Sequence, residues 1–227
     1  MSKWFALFIS MAAAAALPAQ SVAPGTVQAT GTAILSVNPN QVSIDVTVTT
    51  QGASAQAAAT QNASQTTTVI NALKQVLGTS GTVQTINYSV YPNYSSAPGQ
   101  SGVIVGYTAS NSVRATTPDL TLPGPLIDTA NQAGASSVGN LTFSLQDPDP
   151  TTQQALSAAA KQAQAHATAI ATGLGAKTGA VVSAQQNSSV SIPVGIAGAA
   201  AGSTQTPVLT GMVTVSASVV ITVQLLQ

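Results

Sequence analysis

The sequence contains no cysteine and a single histidine, His166. Without thiols there is no disulfide framework and no thiolate metal site, and an oxidising compartment is neither required nor excluded. Charge is nearly as scarce. Five basic and five acidic side chains make 4% of 227 residues, against roughly a quarter in ordinary globular chains. So few cations cannot form the stripe that nucleic acid requires, and the field available to steer charged partners is small. With few groups that titrate, stability should depend weakly on pH between mild acid and neutrality. Phosphate cradles are missing too: Gly195 and Gly198 lie in a glycine-containing run that lacks both the G-x-G-x-x-G spacing and a following Lys-Ser/Thr.

What is present is a 44% hydrophobic chain, long enough to bury a core in one generous domain or two small ones. One long apolar run stands at the N-terminus. Lys3 precedes an apolar stretch over 4–17, followed by Pro18-Ala19-Gln20, the pattern of a secretory signal peptide cleaved near Ala16 or Ala19. The run is shorter than the roughly 18 residues of a spanning helix, and no second run in the mature chain reaches that length. Residues 1–19 are therefore read as an export segment, 20–26 as a flexible lead and 27–227 as the domain, with a division into two subdomains near 118 left open. Loss of Lys3 leaves four basic residues (5 − 1 = 4) and five acidic ones.

Periodicity supplies the elements. Strands are expected over 27–37 and 42–48; in the latter Val42, Ile44, Val46 and Val48 share one face, and Ser43, Asp45 and Thr47 the solvent face. Ser54 N-caps a helix to Leu77, with Ala55, Ala59, Ala63, Thr66, Ile70, Leu73 and Leu77 as its inner stripe and Gly78 as its stop. A hairpin follows over 83–94 and 103–115, then a short helix ending before Gly134 and a strand over 138–145. Asp149 as N-cap and Pro150 at the first helical position open a third helix, with the stripe Leu156, Ala159, Ala163, Ala167, Ile170 and Leu174. A strand begins at 180–183, residues 188–207 read as a Gly/Ala/Ser-rich loop, and 211–225 as a last long strand. The order ββ-α-ββ-α-β-α-ββ predicts an α+β fold, a mixed, mostly antiparallel sheet arrangement with about three helices packed on one face.

The ordered set of segments resembles the SIMPL-domain family of bacterial periplasmic and outer-membrane-associated proteins. The matching pieces are Ala29-Thr-Gly31, Asn38-Pro39-Asn40, the Tyr88 to Tyr94 segment, Gly106-Tyr107 to Asn111, Leu126-Ile127-Asp128, Gly134-Ala135, Leu174-Gly175-Ala176 and the terminal strand, spanning roughly 27–225. The resemblance implies an envelope location, a tendency to self-assemble, a loose link to oxidative-stress tolerance and no established enzymatic activity. Family members carry more charge on the two long helices than this chain does, so an interface built on ion pairs is not expected to carry over.

Residues with catalytic chemistry are few and scattered. His166 could serve as a base or ligand, or as a helix-edge histidine with one satisfied nitrogen; no second histidine or neighbouring carboxylate supports the former. Asp147 and Asp149 could be half a calcium site or a glycosidase pair, but the flanking prolines explain them as a turn and helix cap. Asp128 could pair with Arg114 or with a backbone amide. No catalytic, metal or cofactor site is expected. The one local concentration is aromatic: Tyr88, Tyr91, Tyr94 and Tyr107 all fall on one hairpin, Tyr88 and Tyr94 on one face and Tyr91 on the other. They are the candidate contact surface, with cross-strand packing as the structural alternative. Sequons at Asn62, Asn87, Asn93, Asn140 and Asn187 would matter only in a eukaryotic secretory route. The expectation is an exported envelope protein, periplasmic, extracellular or associated with the outer membrane, that acts by binding or as a homo-oligomer. A monomeric saccharide or peptidoglycan module is the alternative and an Asp-dependent hydrolase a third reading.

Overall fold

A computed structural model of the chain describes residues 25–191 and 206–227. The expected export segment, the first part of the expected lead and residues 192–205 of the expected loop lie outside the described residues. The elements are β1 (Thr26–Val37), β2 (Gln41–Gly52), α1 (Ala55–Leu77), β3 (Thr82–Tyr94), β4 (Ile104–Thr117), α2 (Pro123–Gln132), β5 (Ser137–Ser144), α3 (Asp149–Gly173), β6 (Lys177–Ser191) and β7 (Val213–Leu226). This is the α+β order that the periodicity predicts. The strands form two sheets, one of order β1-β7-β6 and one of order β3-β4-β2-β5, and all the pairings are antiparallel.

Each sheet carries helices on one face. α3 lies on β1 and β7, while α1 and α2 lie on the four-stranded sheet, and the extensive packing stays within each set. In β2 the four aliphatics Val42, Ile44, Val46 and Val48 are buried, the last three in one core with Val69, Leu73 and Leu77 of α1 and Val113 and Ala115 of β4. In β7 the alternation buries Val213, Val215, Ala217, Val219, Ile221 and Val223, all but Val213 in one core with Ala155, Ala159, Ala163 and Ala167 of α3. The two sets are tied where the chain crosses between them: Asn40 donates its N–H to Ser144 O (3.1 Å) and accepts from Gln146 N at Oδ1 (2.7 Å).

Helix ends follow local chemistry. Ser54 accepts from Ala57 N, and Gly78, at φ 59°, closes α1 with Lys74 in the last turn, where a cation meets the negative end of the helix dipole. α3 begins one residue earlier than expected. Pro148 holds the N-cap position, Asp149 is the first helical residue, and Asp147 Oδ1 accepts from Asp149 N at 3.0 Å. The carboxylate that serves this start is thus Asp147, not Asp149.

The helix stripes also differ from expectation. In α3 the buried residues are Ala155, Ala159, Ala163, Ala167 and Ala171, whereas Ile170 and Leu174 are exposed. In α1 Ala58, Asn62, Thr66, Val69, Leu73 and Leu77 face the sheet. Both helices turn their smallest residues inward at the point of closest approach, because glycines in the sheet admit the backbone there. A Cβ on Gly31 would overlap the Ala159 carbonyl of α3, and one on Gly52 would sit 2.6 Å from Ala58 N of α1. β6 extends to Ser191, so residues 188–191, expected in the loop, pair with β7 instead.

Candidate functional site

The four tyrosines lie on β3 and β4 as expected, and the sheet register sorts them. Tyr88 pairs with Asn111, Tyr91 with Thr108 and Tyr107 with Pro92. Val113 and Ala115 show that odd-numbered positions of β4 face α1, so Tyr88, Tyr94 and Tyr107 belong to the helix side. Tyr91 stands on the opposite, helix-free face. Tyr88, Tyr91 and Tyr94 are about half exposed (53, 49 and 59%), more than side chains that hold a core. They do not form one cluster: three lie on one face and one on the other.

The face that carries Tyr91 is built almost wholly of neutral hydrogen-bonding groups. Ser43, Thr47, Thr49 and Gln51 of β2 stand beside Thr116, Ser112, Ser110 and Thr108 of β4. Thr47 Oγ1 and Ser112 Oγ lie 2.7 Å apart, and Thr108 Oγ1 donates to Asn93 Oδ1 at 3.0 Å. One ion pair sits among them. Asp45, expected to face solvent, is 8% exposed because Arg114 covers it. Nε and Nη2 of Arg114 reach Oδ1 and Oδ2 of Asp45 at 2.7 and 2.9 Å, a bidentate fork. Asn140 Nδ2 adds a third bond to Oδ2 at 3.1 Å. Asn140 has φ 49° at a register shift between β2 and β5, a conformation that Asn tolerates better than most residues. The hydrogen bonds from Arg114, helped by Asn140, hold the Asp45 carboxyl below the usual range, against the effect of its burial.

The other candidate acids and the base are dispersed. Asp128 pairs not with Arg114 but with Thr206, accepting from its hydroxyl at 2.7 Å and its N–H at 3.4 Å. Asp119 accepts the hydroxyl and the N–H of Thr121, which lower its pKa. His166 Nδ1 lies 2.7 Å from Thr30 O. A carbonyl oxygen only accepts, so Nδ1 carries the hydrogen and the ring is oriented by β1. Asp149 lies at the start of α3, and 17 residues of helix put His166 about 25 Å away. His166 is therefore not brought together with Asp149, while Asp147 and Asp149 stay neighbours at the start of α3. Among the described residues no three His, Cys, Asp or Glu side chains converge as a metal site would require, and no helix is long and apolar enough to cross a membrane.

One polar feature was not legible from periodicity. Asn62, fully buried in α1, donates from Nδ2 to Val48 O (2.9 Å) and Ala109 O (3.1 Å), and Thr50 Oγ1 donates to Ala58 O (2.8 Å). The sequence marks Asn62 only as a sequon. Its place one turn after Ala58 and one before Thr66 was the available signal. Asn111 Oδ1, close by on β4, is buried without a hydrogen-bond partner.

No curated protein matches this chain. The model of the SIMPL family, described as a protein of unknown function (DUF541), matches residues 27–223. That span runs from the first residues of β1 to the last turns of β7, through every element described above, and the chain therefore belongs to the SIMPL family.

Proposed function

We propose that this protein is exported to the cell envelope and works there by contact, through binding and self-assembly, and not by catalysis. The observation that carries the reading is the use of its few ionisable groups. Asp45 is held by Arg114, Asp128 by Thr206, Asp119 by Thr121 and His166 by the β1 backbone. Each of these contacts holds structure in place, and none leaves an acid beside a base in a cleft. The N-terminal Lys3 and the apolar run after it support export. Fractionation of cells that make the full chain tests location: the expected product is envelope-associated, with its N-terminus just after Ala16 or Ala19. Light scattering on the purified mature chain tests assembly, and a strict monomer at micromolar concentration removes that part.

A second reading has one specific observation in its favour. The helix-free face of the four-stranded sheet offers rows of Ser, Thr, Asn and Gln beside the exposed ring of Tyr91, a composition suited to the hydroxyls and C–H faces of a neutral saccharide. Tyr91→Ala should then abolish retention on cell-wall material while leaving the melting temperature unchanged. Equal retention of wild type and variant rejects it.

A further inference from the structure

Among the described residues two open sheets present four edges, and an exposed edge invites another strand unless it is guarded. Three of the four are guarded, each by a different device. Along β1, α3 reaches over the edge: Gln162 Oε1 accepts from Thr32 N at 2.6 Å and His166 Nδ1 donates to Thr30 O at 2.7 Å. β3 carries Pro92 and two register shifts, at Thr85/Asn87 and Asn93/Tyr94. β5 is only 8 residues long and is broken by Asn140. β6 is different. It has 15 residues, no proline and no charge after Lys177, and it is exposed from residue 180 onward. Its register shifts are confined to 178–183, so that 183–191 pairs without a break with β7.

The backbone direction of that edge follows from β1. Thr30 O and Thr32 N point away from β7, so Gly31 and its partner Val219 bond to each other. Parity then turns Ser218 and Val220 toward β6, where they meet Asn187 and Gln185. The N–H and C=O groups of Ala184, Gln186, Ser188 and Val190 consequently face outward.

We propose that β6 is the edge at which a second copy of this chain adds its own β6, antiparallel about a two-fold axis, joining two three-stranded sheets into one of six strands. The proposal rests on the assembly reading and names its contact. A second copy is the occupant because the edge is complementary to itself. Residues 178–191 hold no ionisable side chain, so no register sets like charges opposite each other. A register centred on Gln186 also sets Ala184 of each copy against Ser188 of the other, so that small neutral side chains meet within the regular stretch 183–191. A strand supplied by an unlike protein would need no such symmetry.

The absence of cysteine makes the test direct. In the full mature chain, Gln186→Cys should be captured as a dimer by a short bifunctional maleimide, whereas Gln28→Cys on the guarded β1 edge should not. The double variant Gln186→Pro/Ser188→Pro removes two outward N–H groups, at positions where an edge strand tolerates proline. Its solution mass should fall to half that of the wild type or less, with an unchanged far-UV circular dichroism spectrum. A folded proline variant that keeps the wild-type mass, together with no Gln186→Cys dimer, overturns the edge and leaves the assembly reading standing. A monomeric wild type overturns both. Should the proline variant not fold, the Gln186→Cys capture decides alone: a dimer supports the edge and its absence rejects it.

Discussion

Gly31 of β1 lies directly beneath the peptide that links Ala159 to the rest of α3, so close that a methyl group at Gly31 would occupy the space of the Ala159 carbonyl. The contact is with backbone, so no side-chain rotation relieves it. Together with the stripe of alanines at 155, 159, 163, 167 and 171, it sets how near α3 sits to β1 and β7. Nearness in turn lets Gln162 and His166 reach the β1 edge.

Gly31→Ala should therefore destabilise the protein by about 3 kcal/mol, lowering the melting temperature by about 6–12 °C. The informative control is Gly31→Ala combined with Ala163→Gly. Trimming a side chain on the helix leaves the offending carbonyl in place, so no recovery is expected. Recovery in a thermal melt would mean that the helix had been held off by its side chains and not by its backbone.

Asn62 makes the corresponding argument for the other sheet. Its amide donates to two buried carbonyls on two different strands and accepts a longer bond from Thr66 Oγ1. Asn62→Ala removes both donors at once and should cost about 2–3 kcal/mol. Asn62→Leu fills the volume but supplies no donor, so it should be no better. A denaturant titration in which Leu restores wild-type stability would show that packing, and not hydrogen bonding, holds α1 here.

These two residues also mark where the sequence was legible. The strict alternation of Val42 to Val48 and of Val213 to Val223 told which faces were buried, since a period of two leaves one choice of face. Ser54, Gly78 and Gly134 punctuated the helices for the same local reason. The stripes of α1 and α3 are right in part: Thr66, Leu73 and Leu77 and the middle alanines Ala159, Ala163 and Ala167 face inward, whereas Ala59, Ala63 and Ile70 of α1 and Leu156, Ile170 and Leu174 of α3 give way to a neighbour or to solvent, because alanine occupies several adjacent positions, as at 57–59, and all of them satisfy an apolar template. Which alanine faces inward is decided by a glycine on the sheet, Gly52 for α1 and, 128 positions before Ala159, Gly31 for α3. Asp45 was misassigned for a related reason. Alternation places it correctly on the outer face, but only the register with β4 shows that Arg114 then covers it. The tyrosines were placed correctly by parity, and their exposure was beyond the sequence because it depends on how far α1 extends across β3.

The Asp45–Arg114 pair gives the fold its main expected acid dependence among the described residues, since Asp119, the other carboxyl with a lowered pKa, is held only by the neighbouring Thr121 at the surface. The folded-state pKa of Asp45 is lowered, so its contribution is fully present above the unfolded value near 4 and is lost as pH falls through the folded value. The melting temperature should be flat from pH 8 to about pH 5 and fall below about pH 4. Asp45→Asn should cost about 1–2 kcal/mol at neutral pH, a figure reduced from that of a fully buried pair because the Arg114 side chain is 47% exposed. Melts of both proteins across this range should converge in acid. A constant difference down to pH 2 would rule out the carboxylate as the source.

The guard on β1 yields the last prediction. If Gln162 and His166 serve to close that edge, their removal should cost little stability and change association instead. Gln162→Ala/His166→Ala deletes two partly solvated hydrogen bonds, about 1–2 kcal/mol, which lowers the melting temperature by a few degrees. It also exposes Thr30 O and Thr32 N on a strand of 12 residues. Light scattering at micromolar concentration should then report species larger than those of the wild type. Adding a proline at Thr32, whose N–H faces the open side, should remove the excess, since proline withholds the donor a docking strand needs. A double alanine variant with wild-type mass and a melting temperature lower by more than about 10 °C would instead assign these side chains to holding α3 in place.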